Sequence, residues 1–240
     1  MEGGLVKGSY NKKFVKLFDS LCRTRPKYTV WYDIIQMWAY AISNSCNYRQ
    51  DREDKYLAIA KSYTKDELMI ICELYAAVVL AFDENPEQDF LGQLYMDYGF
   101  GDHKKGEFFT PYEVARFFSE VLCFECNPSR GYAVINEPAC GSGVMLIAYI
   151  NKLVRDKQSP HTRALFIAND TNPCIAMMCY IQLSLIGAAG YVLVQDTLAE
   201  PLTGHVLYPL QNAFITPLFF HPIWNYRRVI SWITQNLKEV

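Results

Sequence analysis

Apolar residues recur at helical spacing through the first third of the chain: Phe14, Leu17, Phe18 and Leu21, then the runs 30–42 and 68–82. Side chains three and four positions apart share a helix face, so these stretches predict helices, and strand signals are few. The polar stretch 45–55 predicts a break between them. A clear helix start follows at Thr110-Pro111-Tyr112-Glu113, with Thr110 as N-cap, Pro111 in the first turn and Glu113 completing a capping box. Val114, Phe117, Phe118 and Val121 then predict a buried stripe. Beyond it the period changes. Short apolar runs at 132–136, 164–168 and 191–194 alternate with helical patterns that begin after Gly143 and at Asn172-Pro173. Strand–helix units in series predict a parallel sheet with right-handed crossovers, whose strand C-termini share one edge. Glu137, Asp170 and Asp196 each follow one of these runs, so they are expected to converge on one crevice.

Composition narrows this picture only a little. With 51% hydrophobic residues among 240, the chain can bury a substantial core. Lys and Arg (23) nearly balance Asp and Glu (25), so nucleic-acid binding would need a local basic patch. The basic N-terminal residues, Lys7 to Lys27, read first as a solvated helix face. Met1-Glu2-Gly3-Gly4 leads into a polar segment with no apolar signal core, so a cytoplasmic protein with cysteines as thiols is expected. Cys72, Cys174 and Cys179 fall in apolar helical patterns, and Cys123 and Cys126 lack a second pair at zinc spacing, so no metal site is expected. The uncharged run 174–194 is long enough to suggest a membrane span. Gln182, Ser184 and the turn 187–190 interrupt it, and a buried helix followed by a buried parallel strand accounts for it better.

The stretch Glu137-Pro138-Ala139-Cys140-Gly141-Ser142-Gly143, between the first strand and its helix, carries the chemistry. Two glycines in such a turn bring backbone amides close to a nucleotide-like ligand. A dinucleotide site wants a third glycine three residues on, where this chain has Leu146, and an acid inside the turn repels a pyrophosphate. Glu137 favours a ligand with a positive charge. Three acids with two glycines suit a ligand that offers an ammonium, ribose hydroxyls and an adenine amine, which points to S-adenosylmethionine over NAD.

These segments, in order, resemble the adenine-specific DNA methyltransferases. The likeness rests on Gly106-Glu107-Phe108-Phe109-Thr110-Pro111, the Glu137–Gly143 turn, Asn169-Asp170-Thr171-Asn172-Pro173 and Gln195-Asp196-Thr197-Leu198. It is greatest to the modification subunit of type I restriction systems, where a segment similar to Asp89-Phe90-Leu91-Gly92-Gln93-Leu94-Tyr95-Met96 precedes the Phe-Thr-Pro motif. The resemblance implies an α/β, Rossmann-like methyltransferase sheet over residues 101–240, shortened at its C-terminus, with a helical lobe over 1–100. It also implies roles. Phe109, Thr110 and Pro111 would border the methionine end of S-adenosylmethionine, and Glu137 would take its ammonium, with the backbone of Ala139, Gly141 and Gly143 curling around it. Asp170 would accept from the ribose hydroxyls and Asp196 from the adenine amine.

The family carries Asn-Pro-Pro-Phe at the end of its fourth strand, where the Asn and a proline carbonyl hold the target amine and the aromatic stacks on a flipped-out base. Here Thr216-Pro217-Leu218-Phe219 stands at that distance, making Thr216, Pro217 and Phe219 the degenerate counterparts. One hydroxyl cannot reproduce the paired donor and acceptor of an amide. Three readings follow. One is a DNA adenine (N6) methyltransferase-like enzyme that meets DNA through a specificity-type subunit or a second copy. Another is a non-catalytic S-adenosylmethionine-binding partner or decoy in a restriction-modification or anti-restriction system. The third is a methyltransferase for another acceptor.

Overall fold

The computed structural model describes residues 9–101, 107–121, 130–202 and 205–236. Five helices come first: α1 (Ser9–Leu21), α2 (Lys27–Cys46), α3 (Gln50–Ala60), α4 (Lys65–Glu84) and α5 (Phe90–Asp97). The break expected at 45–55 is confined to residues 47–49, because α3 already starts at Gln50. Asp51 and Glu53 in its first turn suit the positive end of the helix dipole. Thr64 caps α4 in a reciprocal capping box with Glu67, whose carboxylate also pairs with Arg25. Of the basic N-terminal residues, Arg25 and Lys27 are thus held in pairs, the latter with Asp19 at 2.7 Å. Phe14 meets Trp31 and Phe90 edge-on at 6.0 and 5.7 Å, the preferred aromatic arrangement. This core is continuous with the buried residues of the second half.

The second half is a mixed α/β arrangement around a four-stranded sheet in the order β1 (Ala133–Glu137), β2 (Ala164–Asp170), β3 (Gly190–Val194), β4 (Phe214–Ile215). β1, β2 and β3 are parallel, with Glu137 opposite Ala168 and Asp170 opposite Val194, so their C-terminal ends share one edge. α6 (Tyr112–Val121) precedes the sheet. α7 (Val144–Arg155) and the short α8 (Pro160–Arg163) link β1 to β2, and α9 (Pro173–Leu185) links β2 to β3. A 3₁₀ turn (Pro217–Phe220) and α10 (Pro222–Asn236) follow β4. The run 174–194 is a buried helix, a turn and a buried strand, and no helix among the described residues is long and apolar enough to cross a membrane.

β4 runs antiparallel to β3. A parallel return needs a crossover to the opposite edge, usually through a helix. The described residues between β3 and β4 form turns instead, so the chain turns back from the edge where β3 ended.

The stripe on α6 is not buried. Ala115 packs on Val144 and Ala148 of α7, whereas Val114, Phe117, Phe118 and Val121 face outward, Phe117 being 64% exposed. Helical period shows that a face is apolar; it does not supply a surface to cover it. The helix also starts one residue late, since Ala115 N–H donates to Pro111 C=O and places Pro111 at the cap position. Cys174 and Cys179 are buried thiols but Cys72 is exposed, and Cys123 and Cys126 lie outside the described residues.

Candidate functional site

The turn after β1 is held by its own amides. Cys140 N–H donates to Asn169 C=O at 2.8 Å, Gly143 N–H to Cys140 C=O at 2.9 Å, and Gly141 N–H to Asp170 Oδ2 at 3.0 Å. Gly141 and Gly143 have φ of +55° and +99°, a region that costs any residue with a Cβ. At Gly143 a Cβ would also stand 2.8 Å from Cys179 Sγ, so the helix behind the turn can approach only because the side chain is absent.

Asp170 therefore organises two turns. Its Oδ1 accepts Asn172 N–H at 2.9 Å, while Asn172 caps α9 through Cys174 N–H and donates to Glu107 Oε1 at 2.9 Å. That last bond ties the segment before α6 to the end of β2. Phe109 stacks on Tyr95 at 5.6 Å, and its ring lies 3.6 Å from where a Cβ on Gly141 would stand. Between Phe108, Phe109 and Thr110 on one side and Ala139, Gly141 and Met145 on the other is a cavity of about 70 Å³. It has room for a small polar group beside the turn amides.

Burial pushes the Glu137 carboxyl above its ordinary value, offset in part by Ala139 N–H at 3.3 Å. Burial raises Asp170 too, against the lowering effect of the N–H groups of Asn172 and Gly141. Two half-buried carboxyls near one turn, neither bonded to a cation among the described residues, suit a positively charged, hydroxyl-bearing ligand. Cys140 offers no nucleophile, because its hydrogen bond with Cys179 and its burial drive its pKa well up.

A family model described as N-6 DNA Methylase matches residues 87–224. The chain belongs to the N-6 DNA methylase family. No match was found among curated proteins. The region matched runs from just before α5 to the start of α10, so it includes α5 along with the sheet. Of the residues expected to hold a cofactor, Phe109, Thr110, Ala139 and Gly141 line the small cavity. Pro111 stands exposed at the cap of α6, and Gly143 opens α7. Glu137 and Asp170 flank the turn. Asp196 sits at the end of β3, where Thr197 Oγ1 donates to Pro138 C=O at 3.0 Å, but its own Oδ1 turns back to Leu198 N–H at 2.9 Å.

Thr216, Pro217 and Phe219 are not brought to the edge where Glu137 and Asp170 stand. Because β4 is antiparallel, Thr216 lies beside Gly190 at the start of β3, at the opposite edge of the sheet. Its hydroxyl accepts Gly190 N–H at 2.9 Å and donates to Ala188 C=O at 2.7 Å. Phe219 is buried edge-on to Tyr191 and beneath the Arg228 guanidinium, with no face left for a base. Thr216→Val should then lower stability by roughly 1–3 kcal/mol, since buried Gly190 N–H loses its acceptor. Cofactor affinity in the same variant should stay within twofold of the parent in calorimetry, whereas a large loss would place Thr216 at the cleft after all.

A buried polar knot lies beneath the turn, and the residue pattern alone did not point to it. Asp89, at the cap of α5, accepts Gly92 N–H at 3.0 Å, Gln182 Nε2 at 2.8 Å and the Ser142 hydroxyl. Gln182 Nε2 also reaches Ser142 C=O, and its Oε1 accepts Leu91 N–H at 3.0 Å. One signal was present: Gln182 is a lone amide in an apolar helix, a cost borne only where partners exist. Asn169 beside Asp170 departs from that rule. It is fully buried and its side-chain amide has no partner among the described residues.

Proposed function

We propose that this N-6 DNA methylase binds S-adenosylmethionine along the C-terminal edge of β1, β2 and β3. The carrying observation is that the glycine turn, at Ala139 to Ser142, faces the Phe109-Thr110 wall across one small cavity, while Asp170 fastens that turn from behind through Gly141 N–H. Glu137 would take the ammonium, the Asp170 carboxylate the ribose hydroxyls and Asp196 Oδ2 the adenine amine, with Phe109 closing over the methionine end. When bound, the cofactor supplies a methyl group on a sulfonium, open to attack by an amine. The chain's part is to orient that group and exclude water from it.

Membership of the family supports a DNA adenine methyltransferase-like function. The position of Thr216, Pro217 and Phe219 at the far sheet edge favours a second reading, in which this chain supplies the cofactor half and another polypeptide the acceptor half. A specificity-type subunit or a second copy in a restriction-modification system would serve, with DNA as the shared substrate. Calorimetry with S-adenosylmethionine tests the premise, and no binding at millimolar ligand sinks both readings. Transfer of tritiated methyl to unmethylated DNA by the chain alone would remove the second reading.

The raised carboxyls give this binding a pH signature. Glu137 and Asp170 hold a cation and hydroxyls only when ionised, and both take up protons above their ordinary values of 4.5 and 3.8. Affinity should be flat at high pH and fall as pH drops through the raised pKa values, earlier than an exposed carboxylate would cause. Calorimetric titrations between pH 8 and pH 5 check it. An affinity that rises toward pH 5 contradicts both contacts.

A further inference from the structure

In the helical lobe, α4 packs chiefly on α1 while α2 packs chiefly on α9 and α3, which leaves α2 and α4 apart. Between them is an open cavity of about 400 Å³, to which α3 adds Tyr56. Its floor is apolar and buried, at Met37, Trp38 and Ile71. Half-buried Ile42, Leu68 and Tyr75 form its walls, and exposed Ala41 and Cys72 stand at its rim. Helix pairs in a protein core interdigitate and leave few voids larger than a water, so a gap of this size is a concave apolar surface that an occupant of matching chemistry would cover.

That chemistry can be read from the lining. None of the residues around the gap is an acid, a lysine or an arginine, so a charged occupant would lose its water without gaining a counter-charge. At about 30 Å³ for each non-hydrogen atom, the liquid share of a water, the space holds roughly 13 of them, the size of a small organic molecule. Tyr56 and Tyr75 supply the polar groups, and neither hydroxyl has a hydrogen-bond partner among the described residues. Burial alone raises the Tyr75 hydroxyl above its ordinary value, which keeps it a neutral donor.

We propose that this gap binds a neutral, lipophilic small molecule with one hydrogen-bond acceptor, its apolar body on Met37, Trp38 and Ile71 and its acceptor toward Tyr56 or Tyr75. The site shares no lining residue with the glycine turn or the sheet, and it does not rest on S-adenosylmethionine binding.

Benzophenone, with one carbonyl between two rings, and its charged relative 4-benzoylbenzoate are the probes, titrated into the full chain by calorimetry. The expected Kd for benzophenone is below about 50 µM, with 4-benzoylbenzoate at least about tenfold weaker. Ala41→Trp fills the gap from its rim and should weaken benzophenone by about tenfold or more. Ala41 is exposed, so the fold tolerates the change, and Ala41→Asp serves as a second variant that should also weaken the probe. Replacing Tyr56 and Tyr75 together by Phe should cost about fivefold, the loss of one neutral hydrogen bond. Absence of benzophenone binding up to its solubility limit overturns the proposal. So does equal affinity for the carboxylate, or benzophenone binding that neither Ala41 variant alters. A chain that sediments as a dimer and is split by Ala41→Trp would give the gap to a second copy and overturn it as well.

Discussion

Asp170→Ala will weaken S-adenosylmethionine binding by about 100-fold or more, the largest functional effect expected of any single substitution in the cleft. Two charge-assisted hydrogen bonds to vicinal hydroxyls, at roughly 1.5–3 kcal/mol each, account for a loss of that order. The same carboxylate also fastens Gly141 N–H at 3.0 Å and Asn172 N–H at 2.9 Å, so its removal loosens the glycine turn. Asp170→Asn separates the two roles. Its single carbonyl oxygen can keep one backbone bond and one hydroxyl, so an intermediate loss near tenfold is expected. Calorimetry on the three proteins, with thermal melts to show that each is folded, decides the matter. Unchanged affinity in Asp170→Ala would move the ribose elsewhere and take the cofactor geometry with it.

Asp170 was legible in the sequence because its position follows from topology. An acid that ends an apolar run in a series of strand–helix units must stand at the C-terminal edge, whatever the register. Glu137 and the glycine turn were legible for the same reason. Thr216 was not. The resemblance matched it to a motif that ends a fourth strand, but the direction of that strand depends on how residues 195–213 travel, and a two-residue strand carries no periodicity to reveal it. The α6 stripe failed differently. Val114, Phe117, Phe118 and Val121 have the spacing of a buried face, yet what covers a helix is a property of its neighbours. The cavity between α2 and α4 is a third kind of case. Trp38, Tyr56 and Tyr75 are drawn from three elements, and only packing brings them together.

Asp89→Ala will produce the largest loss of stability, about 3–5 kcal/mol, and loosen the cofactor turn from a distance. The substitution leaves Gly92 N–H, Gln182 Nε2 and the Ser142 hydroxyl facing a void with one acceptor fewer each, inside a buried network where such losses are not shared with water. In a chain of this size that corresponds to a fall in Tm of roughly 10 °C. Because Ser142 lies between the two glycines of the turn, cofactor affinity should drop about tenfold as well, an effect transmitted through the Ser142 hydroxyl. Asp89→Asn tests the charge separately. Burial raises the Asp89 carboxyl above its ordinary 3.8 against the lowering pull of Ser142, Gln182 and Gly92. A carboxyl raised on folding contributes its stability below the ordinary value and loses it as pH rises through the folded one. The stability of the native chain relative to Asp89→Asn should therefore decline as pH rises above about 4, read from urea melts at successive pH values. If Asp89→Ala melted within 2 °C of the parent, the knot would be an ordinary helix cap, and the helical lobe would have no part in shaping the glycine turn.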